Sequence, residues 1–366
     1  MNRRQTVCCS FLLVAATSAA LGACGSSSQR TKADVSTSSP SATSTTVTML
    51  THDAFDVSEP ILKAFTATTG IKVKLLKQSD AGIMVNQAIL TKDRPQADVM
   101  YGVDNTFLSR ALDEGIFSSR TYRSLDNIET EHLDRFRDAL QFVVPIDYGD
   151  VCLNFDKAWF AKRSRTPPAS LRDIARPEYR GLTVVENPAT SSPGLAFLAA
   201  TVSVYGDQWK TYWGDLKAND VRVVNDWSAA YETEFSAGGG SGKRPIVVSY
   251  ASSPPADVVY SGGAKTEPSI GVVTDGCFRQ YEFAGVLKNA AHADAGSKLV
   301  EFLASAEFQA DMPLKMFVYP TRRDTNLPEV FAKYAAVAPN PVIVDYRKLG
   351  VSRSAWIREW TELEIG

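Results

Sequence analysis

The stretch "VTMLTHDAFDVSEPILKAFTATTGIKVKL", residues 47–75, changes its hydrophobic period twice. Val47 to Leu50 form a short strand-like run. "EPILKAFTATTG" then sets Ile61, Leu62 and Phe65 on one helical face, with Pro60 in the first turn and Gly70 as the stop. Past Gly70 the period falls to two: Ile71, Val73 and Leu75 point one way, Lys72 and Lys74 the other. Strand, helix, strand is a βαβ unit, and its repetition implies a largely parallel sheet covered by helices on both faces.

The pattern repeats downstream. The spacing predicts a helix over about residues 83–92, a strand in "ADVMYGVDN" (97–105) and a helix in "TFLSRALDEG" (106–115) closed by Gly115. A second α/β series starts near "VVPIDYGDVCLNFD" (143–156). It continues through "GLTVVENPATSSPG" (181–194), "VRVVNDWSAAYETEF" (221–235) and "PIVVSYASSPP" (245–255). Sheets of this kind bind ligands at the carboxyl ends of their strands. In the first series those ends are residues 51–55, 78–81 and 101–105, and the second series also puts polar or aromatic groups directly after its strands. At 366 residues the chain exceeds what one hydrophobic core usually organises, so two lobes with facing rims are expected. A hydrophobic share of 44% is that of a globular protein, and a net charge of -2 gives no general attraction to nucleic acid.

The N-terminus is read separately. Asn2, Arg3 and Arg4 precede an apolar run, Val7 to Ala20, which ends at Leu21, Gly22, Ala23 and Cys24. The run is short for a membrane span and has the layout of an export signal, residues 1–23. Leu-Gly-Ala-Cys resembles the bacterial lipobox, in which the cysteine is lipidated and becomes N-terminal; an uncleaved anchor with an ordinary Cys24 thiol is the alternative. Residues 24–45 are rich in Ser and Thr and suit a flexible tether. This implies an extracytoplasmic protein held at the cell membrane by Cys24. In that oxidising setting Cys152 and Cys277 are a candidate disulfide; two separate buried thiols are the alternative.

The strings "LTHDAF", "SDAGIMVNQ", "ADVMYGVDN", "PIDYG", "NPATSSPGL", "DWSAAY", "SYASSP" and "FVYPT" occur in an order and spacing that resemble the thiamine-binding proteins of bacterial ABC importers. The resemblance spans the mature chain. It implies a type II periplasmic-binding-protein fold, with residues 46–143 and 280–322 in one lobe and 144–279 and 323–366 in the other. By this resemblance the lobes close on thiamine or a thiamine phosphate and present it to an ABC permease. A monomer with no cofactor, no metal and no enzymatic activity is expected.

Site expectations combine chemistry with the resemblance. Ser192 followed by Pro193 reads as a helix N-cap, leaving Thr190 and Ser191 to face the ligand's hydroxyethyl or phosphate end. A positive thiazolium and a flat pyrimidine call for aromatic faces and acceptors. Trp227 is the implied stacking platform; its alternative is a core tryptophan, and Ser228 is expected to cap the helix that follows. Tyr250, Ala251, Ser252 and Ser253 match the family's tyrosine segment. Asp80 and Ala81 stand where the family has Asp-Gly, so the loop path there departs from the family pattern. Phe317 stands where the family often has tryptophan, and His52 where tyrosine is common. Protonation of His52 would repel a cation, so thiamine binding is expected to weaken below about pH 6. Asp53 and Asp104 make the cleft negative.

Other classes fit less well. "AGGGSGKRP" (237–245) lacks the first glycine and the final Ser or Thr of a phosphate loop, and no G-x-S-x-G or H-E-x-x-H occurs. A hydrolase triad assembled in space stays open. Ferric-iron receptors of this fold usually carry adjacent tyrosines, which are absent here, whereas polyamine receptors share an aromatic and acidic cleft.

Overall fold

The computed structural model describes residues 45–365. The expected export signal, the expected lipidation site Cys24 and nearly all of the expected tether fall outside the described residues.

Among the described residues, nine strands form one sheet: β1 (Thr46–His52), β2 (Lys72–Gln78), β3 (Val99–Asp104), β4 (Val144–Asp156), β5 (Thr183–Glu186), β6 (Arg222–Val224), β7 (Ile246–Tyr250), β8 (Ile270–Val286) and β9 (Tyr319–Pro320). The order is β2-β1-β3-β8-β4-β7-β5-β6, with β9 beside β4. The outer pairs β1–β2, β1–β3, β5–β6 and β5–β7 are parallel, as the βαβ pattern requires. The inner pairs of β4 and β8 with each other and with β3 and β7 are antiparallel. The sheet therefore has two α/β halves, and the long strands β4 and β8 run from one into the other.

Side-chain alternation explains the cover on both faces of the first half. Val47 and Met49 of β1 join Val99, Tyr101 and Phe65 in one buried cluster, while Leu50 joins Met100, Val103 and Met84 in the other. The helix Ala293–Leu303 returns to this half, burying Gly296, Leu299, Val300 and Leu303. Between the halves, the pairing of β4 with β8 slips between Val151 and Leu153, and at that slip Cys152 is bonded to Cys277 (S–S 2.02 Å).

Three local expectations are corrected. The helix expected over 83–92 is Ala81–Leu90, because Asp80 caps it and accepts from the Ala81 N–H at 2.7 Å. The cap of Ser192–Tyr205 is Ser191, whose Oγ accepts from the Gly194 N–H at 3.4 Å; Ser192 is the first helical residue. The C-terminal helix Tyr346–Ile365 packs on both halves rather than on the second alone. Arg347 pairs with Asp113 at 2.9 Å, while Trp360 meets the Trp213 ring edge-on and the Leu363 carbonyl accepts from Lys217.

Candidate functional site

The strand ends of the two halves face each other across a cavity of about 410 Å³, within the range of small-molecule sites. The first half contributes His52 to Asp56 after β1, and Ser79, Asp80 and Ala81 after β2. The second contributes Ser192 and Pro193 after β5, Trp227 and Tyr231 after β6, and Tyr250 and Ser253 around the end of β7. Glu282 of β8 and Phe317 complete the wall.

Carboxylates tie the halves together. Asp80 Oδ1 accepts from the Ser192 N–H at 2.9 Å and Oδ2 from the Trp227 N–H at 3.2 Å. It thus occupies the positive N-terminus of the helix Ser192–Tyr205. Ser192 Oγ donates to Asp104 Oδ2 at 2.5 Å and accepts from Gln280 Nε2 at 2.6 Å. Ser228 Oγ donates to Asp53 Oδ2 at 3.0 Å. Burial, only partly offset by these hydrogen bonds, pushes the Asp80 and Asp104 carboxyls up to about 6. Burial also raises Asp53, against the Ser228 hydrogen bond. His52 is pushed down by burial, but the Glu282 carboxylate, with Asp80 and Asp53 behind it, outweighs this and raises it.

The aromatic side of the cleft is a pair. The Trp227 and Tyr231 rings stack 4.8 Å apart at 14°, and Trp227 Nε1 donates to Ser249 Oγ at 3.0 Å, which fixes the indole plane. Tyr260 packs edge-on against Phe317 at 5.4 Å across the cleft wall.

Of the residues expected at the site, His52, Asp53, Asp80, Ala81, Ser192, Trp227, Tyr250, Ser253 and Phe317 line the cleft. Thr190, Ser191, Ala251 and Ser252 do not: Thr190 Oγ1 donates to the Asn225 carbonyl at 2.6 Å, Ser191 caps its helix, and Ala251 and Ser252 are fully buried. Ser228 reaches Asp53 instead of capping; Asp226 caps there, accepting from the Ala229 N–H at 2.8 Å. Ala81 takes ordinary helical backbone. The close approach falls to Gly82, where a Cβ would run into the Thr190 carbonyl and come 2.9 Å from Phe107 Cζ. Sequence reasoning missed Glu282, Gln280 and Tyr231. Glu282 carried one signal, a carboxylate inside the otherwise apolar run "YEFAGV".

Two α/β halves that share crossing strands and enclose a cleft of acids and aromatics define a solute-binding protein. The chain belongs to the family of bacterial extracellular solute-binding proteins, whose sequence profile matches residues 94–340. It is similar to the thiamine-binding periplasmic protein of Salmonella typhimurium (strain LT2), 26% identical over 318 residues, covering 86% of this chain and 92% of the relative. The thiamine-binding periplasmic protein of Escherichia coli (strain K12) is 27% identical over 321 residues, with 86% and 92% covered. A solved periplasmic thiamin binding protein shares the fold with a TM-score of 0.75 at 24% identity, covering 87% of this chain and 96% of that one.

Proposed function

We propose that this chain captures thiamine in the cleft between its two halves and presents the closed form to an ABC permease, without chemical turnover. The observation that carries the reading is the pairing of a fixed Trp227–Tyr231 stack with Asp53, Asp80 and Glu282 around one cavity. A cationic, flat heterocycle needs both features. Curated relatives similar over most of this chain bind thiamine, which supports the same choice. Trp227 is the stacking platform, Tyr250 and Ser253 supply polar contacts, Phe317 closes the opposite wall, and Asp53 and Asp80 supply charge.

Residues 46–143 with 280–322 and residues 144–279 with 323–345 are the moving lobes, with β4 and β8 as the hinge and the helix Tyr346–Ile365 touching both. Lipidated Cys24 holds the monomer at the membrane. The cross-cleft bonds of Asp80, Asp53 and Asp104 favour closure.

Isothermal titration with thiamine, thiamine phosphates and spermidine tests the reading. One-to-one thiamine binding that weakens about thirtyfold in Trp227→Ala is expected, the loss of a cation–π and stacking contact worth about 2 kcal/mol. A spermidine signal without a thiamine signal would overturn the ligand and favour a polyamine receptor.

A further inference from the structure

Asp147 of β4 and Glu282 of β8 are register partners, 1% and 8% exposed. Tyr101 Oη donates to Asp147 Oδ2 at 2.6 Å and lies 3.2 Å from Glu282 Oε2. Burial first, then the charge of Glu282, pushes the Asp147 carboxyl well up. Glu282 lines the cleft, with Asp147 beside it.

On the cleft side, Glu282 Oε1 lies 3.5 Å from His52 Nε2, and this buried nitrogen makes no hydrogen bond. A buried imidazole nitrogen without a partner is costly unless something completes it. The space is made by the backbone. At the register shift of β3, Gly102 has φ 93°, and a Cβ there would come 2.5 Å from His52 Cδ2 and 3.7 Å from Glu282 Oε1. The bulge brings the unpartnered His52 nitrogen and Glu282 Oε1 together in the cleft wall as one donor–acceptor pair.

We propose that Glu282 and His52 select the ligand by the edge of its heteroaromatic ring: an exocyclic amino group donates to Glu282 Oε1, and the adjacent ring nitrogen accepts from His52 Nε2. The inference rests on the thiamine reading above and assigns the pyrimidine end of the ligand to this corner. A polyamine has no such edge, so the pair also separates ring cations from aliphatic ones.

The test is titration of wild type and Glu282→Gln with thiamine and with oxythiamine, in which an oxo group replaces the amino group and the neighbouring nitrogen gains a hydrogen. Both hydrogen bonds are then mismatched. Wild type is expected to prefer thiamine by about tenfold to a hundredfold, the range of hydrogen bonds to a charged group, and E282Q to lose most of that preference. Equal wild-type affinity for the two compounds overturns the inference, and this arm stands even if E282Q misfolds. So does an unchanged preference in an E282Q protein that melts like wild type. A wild type that binds neither compound removes the thiamine reading, and this inference with it.

Discussion

Removing the Cys152–Cys277 bond should destabilise the protein by several kcal/mol. The bond joins residues 125 apart in sequence. In the chain-entropy treatment, opening a loop of that length releases about 5 kcal/mol of conformational freedom to the unfolded chain. Both cysteines are buried, in a small apolar nest with Ala251 and Ala338, so the sulfurs also contribute packing. Reduced wild type keeps the sulfurs and loses only the link; the double variant Cys152→Ala, Cys277→Ala loses both. With an unfolding entropy of about 2.1 cal/mol/K per residue over some 320 residues, about 5 kcal/mol corresponds to roughly 7 °C in Tm. Calorimetry of oxidised, reduced and doubly substituted protein measures this directly. A reduced protein melting within about 1 °C of the oxidised form would refute the argument, because β4 and β8 would then stay associated in the unfolded chain without the bond.

Thiamine affinity should fall about tenfold between pH 7.5 and pH 5 if Asp80 must release a proton to face the cation, since its carboxyl sits at about 6, and Asp104, buried behind Ser192 at about 6, adds to the fall through the field. The sequence assigned this response to His52; Glu282 beside it raises the imidazole, so its protonation acts in the same direction as that of the carboxyls, and a flat titration series over that range refutes both assignments. Burial first, aided by Arg279 and Arg135, lowers His132 to about 4 in its nest of Tyr148 and Tyr281. The unfolded imidazole binds its proton first, so this part of the stability is complete above about pH 6.5 and is lost as pH falls toward 4. The loss is about 2–3 kcal/mol by pH 4.5. Urea melts of His132→Phe should show a flatter acid limb than wild type, and parallel limbs would sink the argument.

The parallel outer strands were legible because their information is local. Ile71, Val73 and Leu75 alternate with lysines that stay exposed or half-buried, and Gly70 stops the helix with φ 73° and a backbone bond to Thr66. The antiparallel centre was not legible in the same way. β4 and β8 are buried along most of their length, so their sequence carries no alternation, and their partner choice is set by contacts more than 100 residues apart. The same loss of local signal hid the double contact of the C-terminal helix, which depends on Trp213 and Asp113 lying on opposite sides of the sheet's centre.

At the site, residue types were readable and hydrogen-bond assignments were not. Three hydroxyls before Pro193 signalled a helix start, yet which one caps it depends on where the chain turns. Because Ser191 takes the cap, Ser192 is free to reach Asp104 and Gln280 across the cleft. Asp80 shows the same logic from the other side. The sequence placed it only at the family's Asp-Gly position beside the ligand, whereas its carboxylate satisfies two N–H groups of the opposite half. A cation entering this cleft therefore competes with the protein's own helix terminus for Asp80, so affinity here is set by the difference between two sets of partners for one carboxylate.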